Sequence, residues 1–215
     1  KSGGLTFGCV HSSGSILDLN SQLSTLNSQL FFPKGVLPMD TLMHMQALFL
    51  LFLQDTIRTP LLTRILEFTT DLGNMGFIWV VPALLLLFKK KTRPLGIAVL
   101  TALVLSLLIT NSVLKNLVKE ARPFVTYPEI IPLVTHVSAS SYAFPSGHAS
   151  ASFAAAPLFF HYLPKKFGIP ALILAFLVSF SRLYLGVHYP LDVLAGVVIG
   201  LGCAWLAVKM VRRVM

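Results

Sequence analysis

Long apolar segments, separated by short basic clusters, dominate this chain from about residue 74 onward. Five of them predict membrane-spanning helices, at residues 74–88, 94–118, 146–163, 169–186 and 190–210. A mean hydropathy of +0.77 with only 12% charged residues points the same way, because a typical soluble protein carries about 25% charged residues. We therefore predict an all-α fold, a polytopic helix bundle embedded in a bilayer.

The N-terminal part has a different character. Residues 1–38 are rich in Ser, Gly, Asn and Gln, lack a secretory signal pattern, and predict a poorly ordered or interfacial appendage to a membrane domain at 39–215. Residues 47–53 and 61–70 are apolar but are interrupted by polar side chains before a span accumulates. We predict interfacial or re-entrant helices there, with a sixth span as the alternative.

The basic clusters predict the orientation of the bundle. They lie at residues 89–93, at 165–166 and at the C-terminal end of the last span, and basic loops are retained in the cytoplasm. The C-terminus is therefore expected in the cytoplasm and the opposite helix ends on the extracytoplasmic face. A net charge of +9 does not indicate nucleic-acid binding, because the cations form no basic, aromatic-rich surface segment.

The first of three polar stretches runs from Lys115 to Arg122 and Pro123. Its two cations are two helical turns apart and are predicted to share one face, with Pro123 forcing Arg122 out of helical geometry. A guanidinium fork and an ammonium suit a phosphate group; the alternative is a pair of cations that snorkel at a helix end. We leave Lys119 and Glu120 outside the predicted site.

The second stretch is Pro145-Ser146-Gly147-His148, at the predicted start of a span. Backbone N–H groups at a helix start are unpaired and form an anion site. Gly147 lets the backbone approach an oxyanion, and His148 follows in the first turn. The alternative is an ordinary serine cap with an incidental histidine.

The third stretch contains Arg182, His188 and Asp192. Asp192 is four residues beyond His188, so its carboxylate can hold one ring nitrogen and leave the other free to attack or to accept a proton. Arg182 is a candidate third phosphate ligand. The alternative is a structural Asp–His pair at a helix end.

Together, the patterns Lys-x6-Arg-Pro, Pro-Ser-Gly-His and Ser-Arg-x5-His-x3-Asp resemble the signature of the type 2 phosphatidic acid phosphatase superfamily. The resemblance covers about residues 46–213. That superfamily includes bacterial lipid phosphatases, glucose-6-phosphatase and the soluble vanadium haloperoxidases. All three patterns occur here in the family's order and spacing.

The resemblance implies a mechanism. His188 would be the nucleophile that forms a phosphohistidine, Asp192 would orient it, and His148 would protonate the leaving group and then activate water. The substrate phosphate would be bound by Lys115, Arg122, Ser146, Gly147 and Arg182. No metal and no cofactor is expected, since one carboxylate near the site is too few for Mg²⁺.

The expected partners are therefore a lipid phosphate substrate and the bilayer, with the site on the outer face of the plasma membrane. Undecaprenyl diphosphate is the favoured substrate, and phosphatidylglycerol phosphate and phosphatidate are alternatives that the sequence does not separate. Two other classes of protein are alternatives. One is a vanadate-dependent haloperoxidase, which the five predicted spans disfavour. The other is a phosphate-binding transporter or other non-catalytic membrane protein.

Overall fold

The computed structural model describes residues 38–134 and 137–214. The predicted appendage at 1–38 thus lies outside the described residues, apart from the first residue of a helix. The compact unit discussed below is residues 44–215.

Every regular element in the described part of the chain is helical, which confirms the all-α prediction. Three short segments connect or extend the α-helices: a π-helix at Leu53–Ile57, a 3₁₀ turn at Asn74–Gly76 and a π-helix at Leu108–Leu114. The α-helices are α1 (Pro38–Phe52), α2 (Pro60–Leu72), α3 (Phe77–Leu87), α4 (Arg93–Leu107), α5 (Lys115–Val118), α6 (Pro123–Thr126), α7 (Gly147–Tyr162), α8 (Lys165–Tyr184) and α9 (Pro190–Val214).

Three helical segments of the described chain are long and apolar enough to cross a bilayer: Arg93–Thr126, Lys165–Tyr184 and Pro190–Arg212. The five predicted spans are not confirmed. The segment predicted at 146–163 forms the 16-residue α7, which at 1.5 Å per residue is about 24 Å long and shorter than a typical span.

The segment predicted at 74–88 contains only the 11-residue α3. It qualifies as a span only together with α2, to which it is joined at an angle of 47°. Thr59 caps α2 by accepting a hydrogen bond from the Leu62 N–H, and Gly76 precedes α3 at φ +71°. The apolar segment is therefore broken at the 3₁₀ turn, and this break lies beside the candidate site.

Small residues are prominent in the core of the bundle, beside larger ones such as Trp79 and Phe159. Ala154, Ala155 and Ala156 of α7 are buried where this helix packs against α8 and α9. The buried serine hydroxyls of α7 are paired: Ser150 with Ser106 of α4 at 2.6 Å, and Ser152 with the Trp79 indole of α3 at 3.2 Å. Such pairs hold helices together where no water is present.

Large apolar side chains instead cover the outside, among them Phe88, Phe176 and Trp205. This inversion is typical of a protein whose surface contacts lipid tails.

Two of the three glycines of α9, Gly196 and Gly200, face α7 of the same chain. A Cβ atom at Gly196 would lie 2.5 Å from the Ser146 carbonyl oxygen, and one at Gly200 would lie 2.4 Å from the Ser150 carbonyl oxygen. Only glycine permits this approach, so the four-residue repeat of small residues serves packing within the bundle.

We expect Gly200→Ala to destabilise the protein by about 1–3 kcal/mol, because the new methyl group collides with the backbone of α7. Gly202→Ala is the matched control, since a Cβ at Gly202 meets nothing within 4 Å. Thermal unfolding of the protein in detergent measures both. Equal midpoints for the two variants would contradict the packing described here.

Candidate active site

The first polar stretch turns rather than continuing as a helix. The α5 helix ends at Val118, Lys119 adopts φ +53°, and Arg122 is extended with ψ 151° before Pro123. The prediction that Lys115 and Arg122 share one continuous helical face is therefore wrong. They approach the same cavity because the chain turns at Lys119, whose own side chain is exposed.

The second stretch begins α7. Ser146 is the N-cap: its hydroxyl accepts a hydrogen bond from the Ala149 N–H at 3.5 Å, and its own N–H donates to the Asp192 carbonyl at 3.0 Å. Ser146 is completely buried by these contacts. Gly147 faces Asn111, whose side-chain oxygen would lie 3.3 Å from a Cβ at Gly147.

The third stretch joins α8 to α9 through a turn at Gly186, which has φ +73°. Arg182 is buried at the end of α8 and donates from Nη1 to the Thr70 hydroxyl of α2. The Arg182 Nε–H has no partner among the described residues. His188 follows the turn, and Asp192 lies in the first turn of α9.

A cavity of about 670 Å³ brings most of the predicted residues together. Six of the eight line it: Lys115, Arg122, Gly147, His148, Arg182 and His188. Ser146 and Asp192 do not line it; both are buried behind its wall.

The rest of this catalytic cavity divides into a polar end and an apolar flank. The polar end adds asparagine and serine side chains: Asn74, Asn111, Ser138 and Ser141. The flank consists of aliphatic residues of α3, α4 and α7: Val80, Leu100, Leu103, Val104, Leu107 and Ala151. The arrangement fits an anionic headgroup with an apolar tail.

The tautomer of His188 follows from its two neighbours. Arg122 Nη1 lies 2.8 Å from His188 Nε2, and because a guanidinium can only donate, Nε2 is an unprotonated acceptor. The Nδ1–H then donates to Asp192 Oδ2 at 3.2 Å. Asp192 Oδ2 also accepts from the Tyr189 N–H at 2.8 Å.

The His188 ring is neutral. Burial lowers the pKa of His188 well below its usual range, and the cations of Arg122, Arg182 and Lys115 lower that pKa further. Desolvation and like charge both disfavour an imidazolium. Nε2 therefore keeps its lone pair at neutral pH, and in the structure this lone pair accepts the hydrogen bond from Arg122.

Arg122 connects the first stretch to the third and to the loop that precedes the second. Its Nη1 also donates to the Val187 carbonyl at 2.8 Å, and its Nε donates to the Ser141 carbonyl at 3.2 Å. The Ser141 hydroxyl lies 3.2 Å from Arg122 Nη2. The loop before the second stretch thus fixes the guanidinium beside His188.

His148 is held by the break between α2 and α3. Asn74 Nδ2 donates to Asp71 Oδ1 at 3.2 Å, which turns Asn74 Oδ1 toward His148 Nε2 at 3.1 Å. An amide oxygen can only accept, so Nε2 of His148 carries a proton. Gly73 permits the approach, since a Cβ there would lie 3.0 Å from the His148 ring.

Sequence reasoning missed four contributors to this site: Thr70, Asn74, Glu120 and Ser141. Glu120 was left outside, yet its carboxyl group is close enough to interact electrostatically with Asp192. None of these four residues belongs to a sequence motif that would predict its role, because each acts through a contact between distant parts of the chain.

Comparison with known proteins identifies relatives with the same helices. Residues 95–215 match the family model of the PAP2 superfamily. The chain is 34% identical over 137 residues to an undecaprenyl-diphosphatase of Sulfolobus acidocaldarius, an alignment covering 62% of this chain and 63% of that protein. It is 32% identical over 158 residues to phosphatidylglycerophosphatase B of Bacillus subtilis, covering 67% and 73%.

A solved structure resembles this chain over a greater length than the sequence alignments cover. The crystal structure of a transmembrane PAP2-type phosphatidylglycerolphosphate phosphatase from Bacillus subtilis superposes with a TM-score of 0.64 at 26% identity. The superposition covers 91% of this chain and 96% of that one. By sequence, however, the chain spans less than two thirds of the length of the Sulfolobus protein.

We expect Asn74→Ala to change the tautomer that His148 adopts in its neutral form, because the acceptor that holds the proton on Nε2 is lost. Nitrogen-15 NMR of histidine-labelled protein, at a pH where the His148 ring is neutral, measures this as a change in the His148 ring shifts, with His188 unaffected. Asn116→Ala is the control, since Asn116 donates to the Ser112 carbonyl of the preceding π-helix. An unchanged His148 spectrum in Asn74→Ala would show that Asn74 does not fix the ring.

Proposed function

Because this chain belongs to the PAP2 superfamily, as the motif resemblance predicted, we propose that it is an integral-membrane phosphatase acting on a lipid phosphate or diphosphate. The observation that carries the proposal is the position of His188 Nε2, 2.8 Å from Arg122 Nη1 at a cavity that three cationic side chains line. An imidazole lone pair beside cations suits nucleophilic attack on a phosphoryl group. The aliphatic flank of the same cavity fits a lipid tail.

The first step forms a phosphohistidine. His188 Nε2 attacks phosphorus, the bond from phosphorus to the leaving oxygen breaks, and His148 donates the proton that the leaving oxygen needs. Since the Nε2–H of His148 is held by Asn74, His148 begins this step as an imidazolium, and the proton that it transfers is the one on Nδ1. Asp192 keeps accepting the hydrogen bond from the Nδ1–H of His188 and stabilises the positive charge that develops on that ring.

Arg122 must change its partner during this step. In the structure it donates to His188 Nε2, the atom that has to reach phosphorus. A phosphoryl oxygen that arrives between them takes over this hydrogen bond and frees the lone pair. The unpaired Nε–H of Arg182 and the Lys115 ammonium supply further donors to the equatorial oxygens.

The second step releases phosphate. Water attacks phosphorus, His148 accepts its proton at Nδ1, and the bond between phosphorus and His188 Nε2 breaks. The products are inorganic phosphate and the dephosphorylated lipid, and both histidines regain their starting protonation. The fixed cations supply the charge stabilisation for which other phosphoryl-transfer enzymes use Mg²⁺, so the proposed reaction is metal-independent.

Undecaprenyl diphosphate is the proposed substrate, with undecaprenyl phosphate and inorganic phosphate as products. The Sulfolobus relative bears this substrate in its name, and the cavity leaves the aliphatic flank for the polyprenyl chain. Phosphatidylglycerol phosphate and phosphatidate are the alternatives. We further propose that the cavity opens on the outer face of the plasma membrane and that the C-terminus is cytoplasmic, following the distribution of basic residues.

Release of inorganic phosphate by purified protein tests this proposal. Polyprenyl diphosphate should be turned over faster than phosphatidylglycerol phosphate or phosphatidate, and a chelator should leave each rate unchanged. His188→Ala should lower the rate by at least about 10³-fold, because the nucleophile is lost. His161→Ala, at the opposite end of α7, is the control and should retain activity.

Two results would contradict the proposal. One is full dependence of the rate on added Mg²⁺, and the other is turnover by His188→Ala at the rate of the control. Binding of all three lipids without phosphate release would instead favour a non-catalytic lipid-binding protein.

A further inference from the structure

A second cavity, of about 330 Å³, lies at the other end of the bundle, where α4 begins and α7 and α9 end. Its floor is aliphatic and includes Leu95, Val208 and Val211. Its edge carries two exposed cations, Lys91 from the turn before α4 and Arg212 from α9. It shares no lining residue with the catalytic cavity.

Among the described residues, the cations of this basal cavity have no counterion. Within the described chain no carboxylate lies at ion-pair distance from Lys91 or Arg212. Arg212 Nη2 donates to the Tyr162 hydroxyl at 3.1 Å, which leaves its other N–H groups available. No acidic residue occurs in the segments 72–119 and 130–191, or after residue 192, so the helix ends that form this cavity contribute no acidic side chain.

The neighbouring cations are already engaged. Arg93 donates from Nε to the Leu87 carbonyl at 3.0 Å, and Lys165 donates to the Phe160 carbonyl at 3.1 Å. Lys209 lies over the Trp205 ring at 3.7 Å. Lys91 and Arg212 are distinguished from these basic residues because both line the apolar cavity.

We propose that this basal cavity binds an anionic phospholipid of the surrounding bilayer. Lys91 and Arg212 bind the phosphate of its headgroup, and one acyl chain lies on Leu95, Val208 and Val211. The aliphatic floor selects a lipid over free phosphate, and the unneutralised cations select an anionic lipid over a zwitterionic one. This lipid is a ligand and not a substrate, since the cavity contains neither histidine of the catalytic site.

The position of the basal cavity gives the bound lipid a structural consequence. The helices that meet there, α4, α7 and α9, lead at their other ends to the first, second and third polar stretches. A lipid that contacts all three ends favours the packed bundle over its unfolded forms by mass action. Binding should therefore raise the unfolding temperature.

Lipid binding to the purified protein in detergent tests this proposal, without any need for turnover. Dioleoyl-phosphatidylglycerol should raise the midpoint of thermal unfolding and remain bound in native mass spectrometry. Dioleoyl-phosphatidylcholine and inorganic phosphate are tested in the same way. Neither should raise the unfolding midpoint or remain bound. The double variant Lys91→Gln/Arg212→Gln should bind phosphatidylglycerol about 30-fold more weakly, the effect of removing two cations near a membrane surface.

The matched control is Lys90→Gln/Lys166→Gln, which removes the same charge from this end of the bundle without altering a residue that lines the basal cavity. It should bind phosphatidylglycerol like the unaltered protein. An equal loss in both double variants would overturn the proposal in favour of diffuse surface attraction. Equal binding of phosphatidylcholine, or an equal shift by inorganic phosphate alone, would overturn it as well.

Discussion

The candidate site depends on one buried chain of polar contacts, from Asp192 through His188 to Arg122. Each contact fixes the next: the carboxylate takes the Nδ1–H, the guanidinium donates to Nε2, and the imidazole is left neutral with its lone pair at the cavity. Arg122 also donates to carbonyl groups of residues 141 and 187. The loop before α7 and the turn before α9 are thereby tied to the end of the first stretch, so the three meet at one point.

The bilayer explains why these groups gather at one end of the bundle. Three cationic side chains near one cavity repel each other and lose hydration, a cost that is tolerated inside a membrane protein only where function requires it. The structure offsets part of this cost with hydroxyl and carbonyl acceptors such as Thr70 and Ser141. A phosphate group would offset the remainder, so the cavity is suited to a polyanion. At the opposite end the described residues place cations without carboxylates, and the proposed lipid phosphate would neutralise them there.

The sequence predicted the all-α bundle and the residues that surround the catalytic cavity, because both leave local signals: long apolar runs, helix starts and polar residues at fixed spacing. It was less successful where geometry depends on distant contacts. The turn at Lys119 replaces the expected helical face, since nothing local forces a left-handed residue there. Residues 74–88 do not form a complete span, because the chain breaks at Gly73 and Asn74 to contact His148. Asn74 also lies before residue 95, where the match to the superfamily begins.

The central claim is that His188 Nε2 becomes covalently bonded to phosphorus. Rapid quenching during turnover of a lipid diphosphate labelled in its terminal phosphate measures this directly. We predict an acid-labile, base-stable phosphoryl group on the peptide that contains His188, formed and lost at the rate of turnover. Turnover without any label on this peptide, or with the label on His148 instead, would contradict the account.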